Sequence, residues 1–160
     1  MDWVKEFYTC QNEWFGVYLV DVDESHRERA QLIRELTYRS EKTILELGAG
    51  GGQTSIALAE SGHQVTMVEL LESSTRHARQ LADKMKINVE VIKEDFYRVK
   101  FDQQFDVICY FDSFGIGNDA DQRRLLKRIH SWLKPQGCAI IEIGSSWYWG
   151  GVARGKTMDL

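Results

Sequence analysis

The stretch 45-LELGAGGGQ-53 decides how this chain is read. An apolar run carrying Glu46 leads into four glycines within five residues. Glycine admits positive φ and close backbone approach, and it costs conformational entropy wherever it is used. A cluster this dense therefore makes room for a phosphate or a nucleoside, or forms nothing but a tight turn.

The surroundings alternate between two periodicities. TILEL (43–47), before the glycines, is short and apolar, as a strand is. QTSIALAESG (53–62) has a helical pattern stopped by Gly62 in the C′ position. Strand-like runs recur at 64–69, 89–93, 105–111 and 138–143. Helical patterns fall at 73–85, with Ser73 or Ser74 expected as the cap, and at 119–133, closed by a turn over 134–137. Upstream, residues 3–19 place Trp3, Phe7, Trp14 and Tyr18 near helical spacing, and residues 24–39 read as a charged amphipathic helix burying Leu32, Ile33 and Leu36.

Continuously apolar strands mostly joined through helices predict an α/β fold: a Rossmann-like, doubly wound parallel sheet covered on both faces. Right-handed crossovers with a reversal after the third strand give the order 3-2-1-4-5. Ligands in such sheets sit at the carboxyl ends of the first and fourth strands, and the glycines lie at the first of these ends.

Composition narrows the partners. The 160 residues suit one domain, expected to span 1–160 with a helical lid (1–40) and a ligand-binding core (43–143). Net charge is −4, which argues against a nucleic-acid footprint. No apolar run approaches a membrane span and the first residues lack a leader pattern, so a cytoplasmic protein is expected. Cys10, Cys109 and Cys138 have no metal or redox spacing, and Cys109 and Cys138 read as buried small hydrophobes. No two of the four histidines have ligand spacing, so no metal is expected.

Residues 48–55 read GAGGGQTS, without the lysine that a GxxxxGK[ST] phosphate loop requires. The dinucleotide pattern GxGxxG begins at Gly48 and Gly50 but meets Gln53 at its third position; the third glycine, Gly52, comes one residue early. Glu46 adds charge that repels a pyrophosphate and suits an ammonium or sulfonium. Glu69, 21 residues beyond Gly48, can accept both hydroxyls of a ribose, as NAD and S-adenosylmethionine sites require. Asp95 can accept from an adenine amino group while Phe96 or Leu70 lies against the ring. Phe111-Asp112-Ser113-Phe114-Gly115 falls at the end of the fourth strand, across from the glycine turn.

With these motifs in order, the chain resembles the class I S-adenosylmethionine-dependent methyltransferases. ELGAGGG is similar to their first motif, VEL (68–70) to the acidic end of the second strand, and EDF (94–96) to the third; FDVICYFDSFG and WLKPQGCAIIEI continue the match to residue 143. The resemblance looks closest to small-molecule methyltransferases with an aromatic N-terminal lid. It implies that Gly48, Gly50 and the Ala49 backbone contact the methionine part, with Glu46 at its amino end. Glu69 would hold the ribose, Asp95 and Phe96 the adenine, and backbone at Tyr110 and Phe111 the ammonium. Transfer would be an in-line displacement onto O or N of a small-molecule acceptor, with Asp112 as the candidate base and Tyr8, Trp14, Ser113, Phe114 and Trp147 as candidate acceptor walls.

Two departures stand out. YFDSFG lacks the [ND]PP[YF] of many amino-group methylases of DNA and protein. The chain also stops short of the family's usual final two strands, leaving strand five as an edge on which a homodimer could form. A non-catalytic cofactor-binding or assembly protein is the alternative, and an NAD(P)-dependent oxidoreductase a weaker one.

Overall fold

A computed structural model describes residues 2–16, 18–37, 41–111 and 114–143. The strands are β1 (Thr43–Leu47), β2 (Gln64–Glu69), β3 (Glu90–Lys93), β4 (Phe105–Phe111) and β5 (Leu133–Glu142). All pair in parallel in the order β3-β2-β1-β4-β5. The helices are α1 (Asp2–Phe15), α2 (Glu24–Leu36), α3 (Gln53–Glu60), α4 (Glu72–Met85) and α5 (Asp119–Trp132). The expected doubly wound sheet is the observed one.

Strand alternation sends β1 side chains to two cores. Leu45 and Leu47 join Ile108, Tyr110, Leu125 and Ile129 beneath α5. Ile44 goes to the other face, among Ala30, Ile33, Leu58 and Cys109 beneath α2 and α3. Fully burying each Leu or Ile contributes roughly 1.5–3 kcal/mol relative to exposure. Glu46 shares the parity of Ile44 and pairs in register with Met67 and Cys109, so the fold carries a carboxylate into that second face.

Four local expectations are corrected. Helix α2 buries Ala30 and Ile33, not Leu32 and Leu36, which are 55% and 57% exposed. Its inner face follows 26-30-33-37, and Thr37 at the end of that stripe donates to Ile33 O. Helix α4 begins earlier than expected: Leu71 is its N-cap and makes no side-chain cap, while Ser74 lies within the first turn. Strand β5 begins at Leu133 and carries the expected turn as an irregularity in its pairing. Leu133 lies opposite Phe105 and Cys138 opposite Val107, so residues 134–137 bulge past Asp106. Cys138 is exposed on this outer strand, whereas Cys109 is buried.

Candidate functional site

The glycine loop leaves β1 against its neighbour β2. The N–H groups of Gly48 and Ala49 both donate to Val68 O, at 2.9 and 3.2 Å. Gly50 N–H donates to Glu69 Oε2 and Leu71 N–H to Glu69 Oε1, each at 2.9 Å. One carboxylate thus ties the loop to the start of α4. His77 of α4 adds a contact from its Nδ1 to Gly51 O at 3.1 Å. Glu69 is 8% exposed, and burial raises its pKa against the lowering effect of the amides of Leu71 and Gly50.

Part of what the glycines accommodate is the protein itself. A Cβ on Gly51 would lie 1.7 Å from Tyr18 O, and one on Gly52, at φ +83°, would lie 2.7 Å from Ala78 Cβ. The chain after α1 therefore rests directly on the loop. Gln53, which breaks the dinucleotide pattern, fastens it there: its Nε2 donates to Tyr18 O at 3.1 Å and to Val20 O at 2.8 Å. Farther out, Asn12 Nδ2 donates to Ser74 Oγ at 2.9 Å.

Glu46 lies beneath this arrangement, 4% exposed, its Oε2 accepting from Ser55 Oγ at 2.5 Å. Burial pushes its pKa up to about 7; Ser55 and Arg29 oppose the rise, and Glu69 adds to it. Arg29 stands on α2 with its guanidinium 4.9 Å from the Phe111 ring centroid and 3.2 Å from Glu142 Oε1. One turn earlier, His26 Nδ1 is 2.6 Å from Asp23 Oδ1 at the helix N-terminus.

Glu46, Arg29, His26, Gln53 and Ser74 border one cavity of about 260 Å³. Of the residues singled out from sequence, Glu46, Gly48, Ala49, Gly50, Glu69, Leu70, Phe96, Phe111 and Tyr8 line it. Others do not. Asp95 Oδ1 accepts from Tyr97 N–H at 2.8 Å, so this carboxylate closes its own turn. The Tyr110 side chain is 1% exposed in the core under α5, where Phe114 packs on it at 6.0 Å between centroids. Trp14 is 72% exposed on α1, whose Val4 and Tyr8 line the cavity. Asp112, Ser113 and Trp147 lie outside the described residues.

Sequence reasoning missed Tyr18, His26, Arg29, Gln53 and Ser74 as wall residues. The signal for two of them was present: 26, 29, 30 and 33 are one helical stripe, and choosing Leu32 and Leu36 as the buried face turned it outward.

A parallel sheet of this order with buried carboxylates around a glycine loop at its switch point defines a nucleoside-binding α/β protein. Residues 44–137 match the methyltransferase domain family, and the chain belongs to it, among the class I S-adenosylmethionine-dependent methyltransferases. It is 32% identical over 105 residues to the cypemycin N-terminal methyltransferase of a Streptomyces species, covering 63% of this chain and 41% of that protein. It is 32% identical over 97 residues to the ubiquinone biosynthesis O-methyltransferase of Coxiella burnetii, covering 60% and 41%. The match thus spans less than half of either relative. A crystal structure of a Pyrococcus horikoshii OT3 protein superposes with a TM-score of 0.76 at 24% identity, covering 92% of this chain and 71% of that one.

Proposed function

We propose that the cavity binds S-adenosylmethionine and that the protein transfers its methyl group to O or N of a small-molecule acceptor by in-line displacement. The observation that carries this reading is the pair of buried carboxylates, Glu46 and Glu69, beneath one glycine loop. A carboxylate offers about four lone-pair positions, and two at Glu69 serve Gly50 and Leu71, leaving capacity for ribose hydroxyls. Glu46, held above its ordinary carboxylate range, suits an ammonium whose charge offsets the burial. Arg29 and His26 border the same cavity and suit the carboxylate of the same amino-acid arm. Leu70 and Phe96 supply apolar faces for the base.

Bound, the cofactor supplies an electrophilic methyl on a positively charged sulfur. The protein's part is alignment and exclusion of water, and orientation of this kind can contribute about 7–11 kcal/mol. Val4, Tyr8 and Tyr18 border the cavity, which supports reading the N-terminal segment as a lid over the core at 43–143. An acceptor that loses a proton needs a base. The candidate for that role is Asp112, which follows β4 in the sequence.

No helix among the described residues is long and apolar enough to cross a membrane. Strand β5 pairs with β4 alone among the described residues, which suits a homodimer through that edge, read out by sedimentation. The test of the main reading is a calorimetric titration. S-adenosylmethionine and S-adenosylhomocysteine should bind, and binding should be lost in Glu69→Ala. Preference for NADH would sink the proposal.

A further inference from the structure

Helix α5 does not border the cavity, yet it grips the segment that does. Residues 95–99 follow β3 as a turn in which Asp95 O accepts from Arg98 N–H at 2.7 Å and Val99 N–H at 2.9 Å. That turn carries Phe96 into the cavity, its ring edge-on to Tyr110 at 5.4 Å between centroids. Its outer carbonyls are taken by one side chain. Arg128 donates through Nε to Phe96 O at 3.2 Å and through Nη2 to Val99 O. The guanidinium in turn stacks 4.6 Å from the Trp132 ring centroid, one turn along α5. Arg124, one turn earlier, lies 4.6 Å from the Tyr97 ring centroid.

The guanidinium is a planar fork of fixed donor directions, so two carbonyls held by it cannot swing independently. Stacking on Trp132 fixes the plane of the fork and thereby its orientation on the turn. We propose that Arg128 is a positioning residue for the nucleobase side of the cofactor site: it touches no ligand and sets the backbone from which the Phe96 ring reaches the cavity. The proposal rests on the cofactor reading above.

Arg128→Met keeps much of the aliphatic contact with Trp132 and removes both N–H bonds. The experiment is calorimetric titration with S-adenosylhomocysteine and with adenosine at 10 °C, where circular dichroism verifies that each variant is folded. Both dissociation constants should rise roughly tenfold, because two hydrogen bonds organising the wall are lost. Arg128→Lys, which keeps a donor, should recover part of that loss and serves as the second variant if Arg128→Met does not fold. In a Phe96→Leu background the same substitution should change affinity less than twofold, because Arg128 acts through that ring.

A variant that melts earlier but binds both ligands at 10 °C like the unaltered protein overturns the positioning role. So does an undiminished effect in the Phe96→Leu background. Failure of the unaltered protein to bind S-adenosylhomocysteine overturns the cofactor reading itself, and the positioning role with it.

Discussion

Gly50 N–H and Leu71 N–H converge on the two oxygens of Glu69, each at 2.9 Å, so this carboxylate is structural before any ligand arrives. Charge-assisted hydrogen bonds are worth about 1.5–3 kcal/mol each. Glu69→Gln keeps one acceptor oxygen and should weaken S-adenosylhomocysteine binding about 10–100-fold in a calorimetric titration. Glu69→Ala should abolish measurable binding and lower the melting temperature as well. A Glu69→Ala protein that binds normally would remove the ribose role.

Glu46 should make the empty protein's stability fall as pH rises. Its folded pKa is raised from 4.5 to about 7, so the protonated form is favoured on folding. The stabilisation is fully present below pH 4.5 and is lost as pH rises through about 7. Glu46→Gln removes the cost of the buried charge and should gain on the order of 2–3 kcal/mol over the unaltered protein at pH 8 relative to pH 4.5. Denaturant unfolding at the two pH values measures this. Binding of S-adenosylhomocysteine at pH 7 should release a fraction of a proton, seen by titrating in buffers of different ionisation enthalpy. 5′-Methylthioadenosine, which lacks the ammonium, should release none.

His63 acts in the opposite sense. It is 6% exposed and neither ring nitrogen has a hydrogen-bond partner among the described residues. Burial lowers its pKa from 6.5, reinforced by Arg34 and Lys42 and countered by Glu41. The unfolded state therefore binds the proton more readily, so stability is intact above pH 6.5 and falls as pH drops through the folded value. His63→Phe should flatten the stability profile between pH 7 and 5 in urea titrations. An unchanged slope would mean that other groups set it.

Gly51 has no room for a methyl group, because Tyr18 O occupies that position. Gly51→Ala should displace the segment after α1, with a cost of about 1–3 kcal/mol typical of overpacking. Limited trypsin digestion should then cut at Arg27 or Lys5 faster than in the unaltered protein. Gly62→Ala, where a Cβ meets nothing within 4 Å and only φ is strained, is the control for backbone strain alone.

The sheet order was legible because five apolar runs alternate with helical patterns in a way only a few topologies allow. The loop and its two carboxylates were legible because their spacing follows from where β1 and β2 end. The roof was less so. Gln53 was legible only as the residue that breaks a dinucleotide pattern; its contacts with Tyr18 O and Val20 O span 35 and 33 residues, and no local periodicity reports them. Asp95 is suited chemically to two uses, an adenine amino group and the closing of a turn, and the contact with Tyr97 N–H occupies one of its oxygens. On α2, Leu32 and Leu36 outscored Ala30 by hydrophobicity, but the small residue is the one that fits against the sheet.

The bond from Asn12 to Ser74 spans 62 residues. During synthesis the roof of the cavity therefore emerges long before the helix that anchors it, and its aromatic side chains must wait in solution for a docking surface that does not yet exist. Such long-range closures are slow to form and expose apolar surface meanwhile. The roof of the cavity is thus closed by a contact between segments distant in the chain.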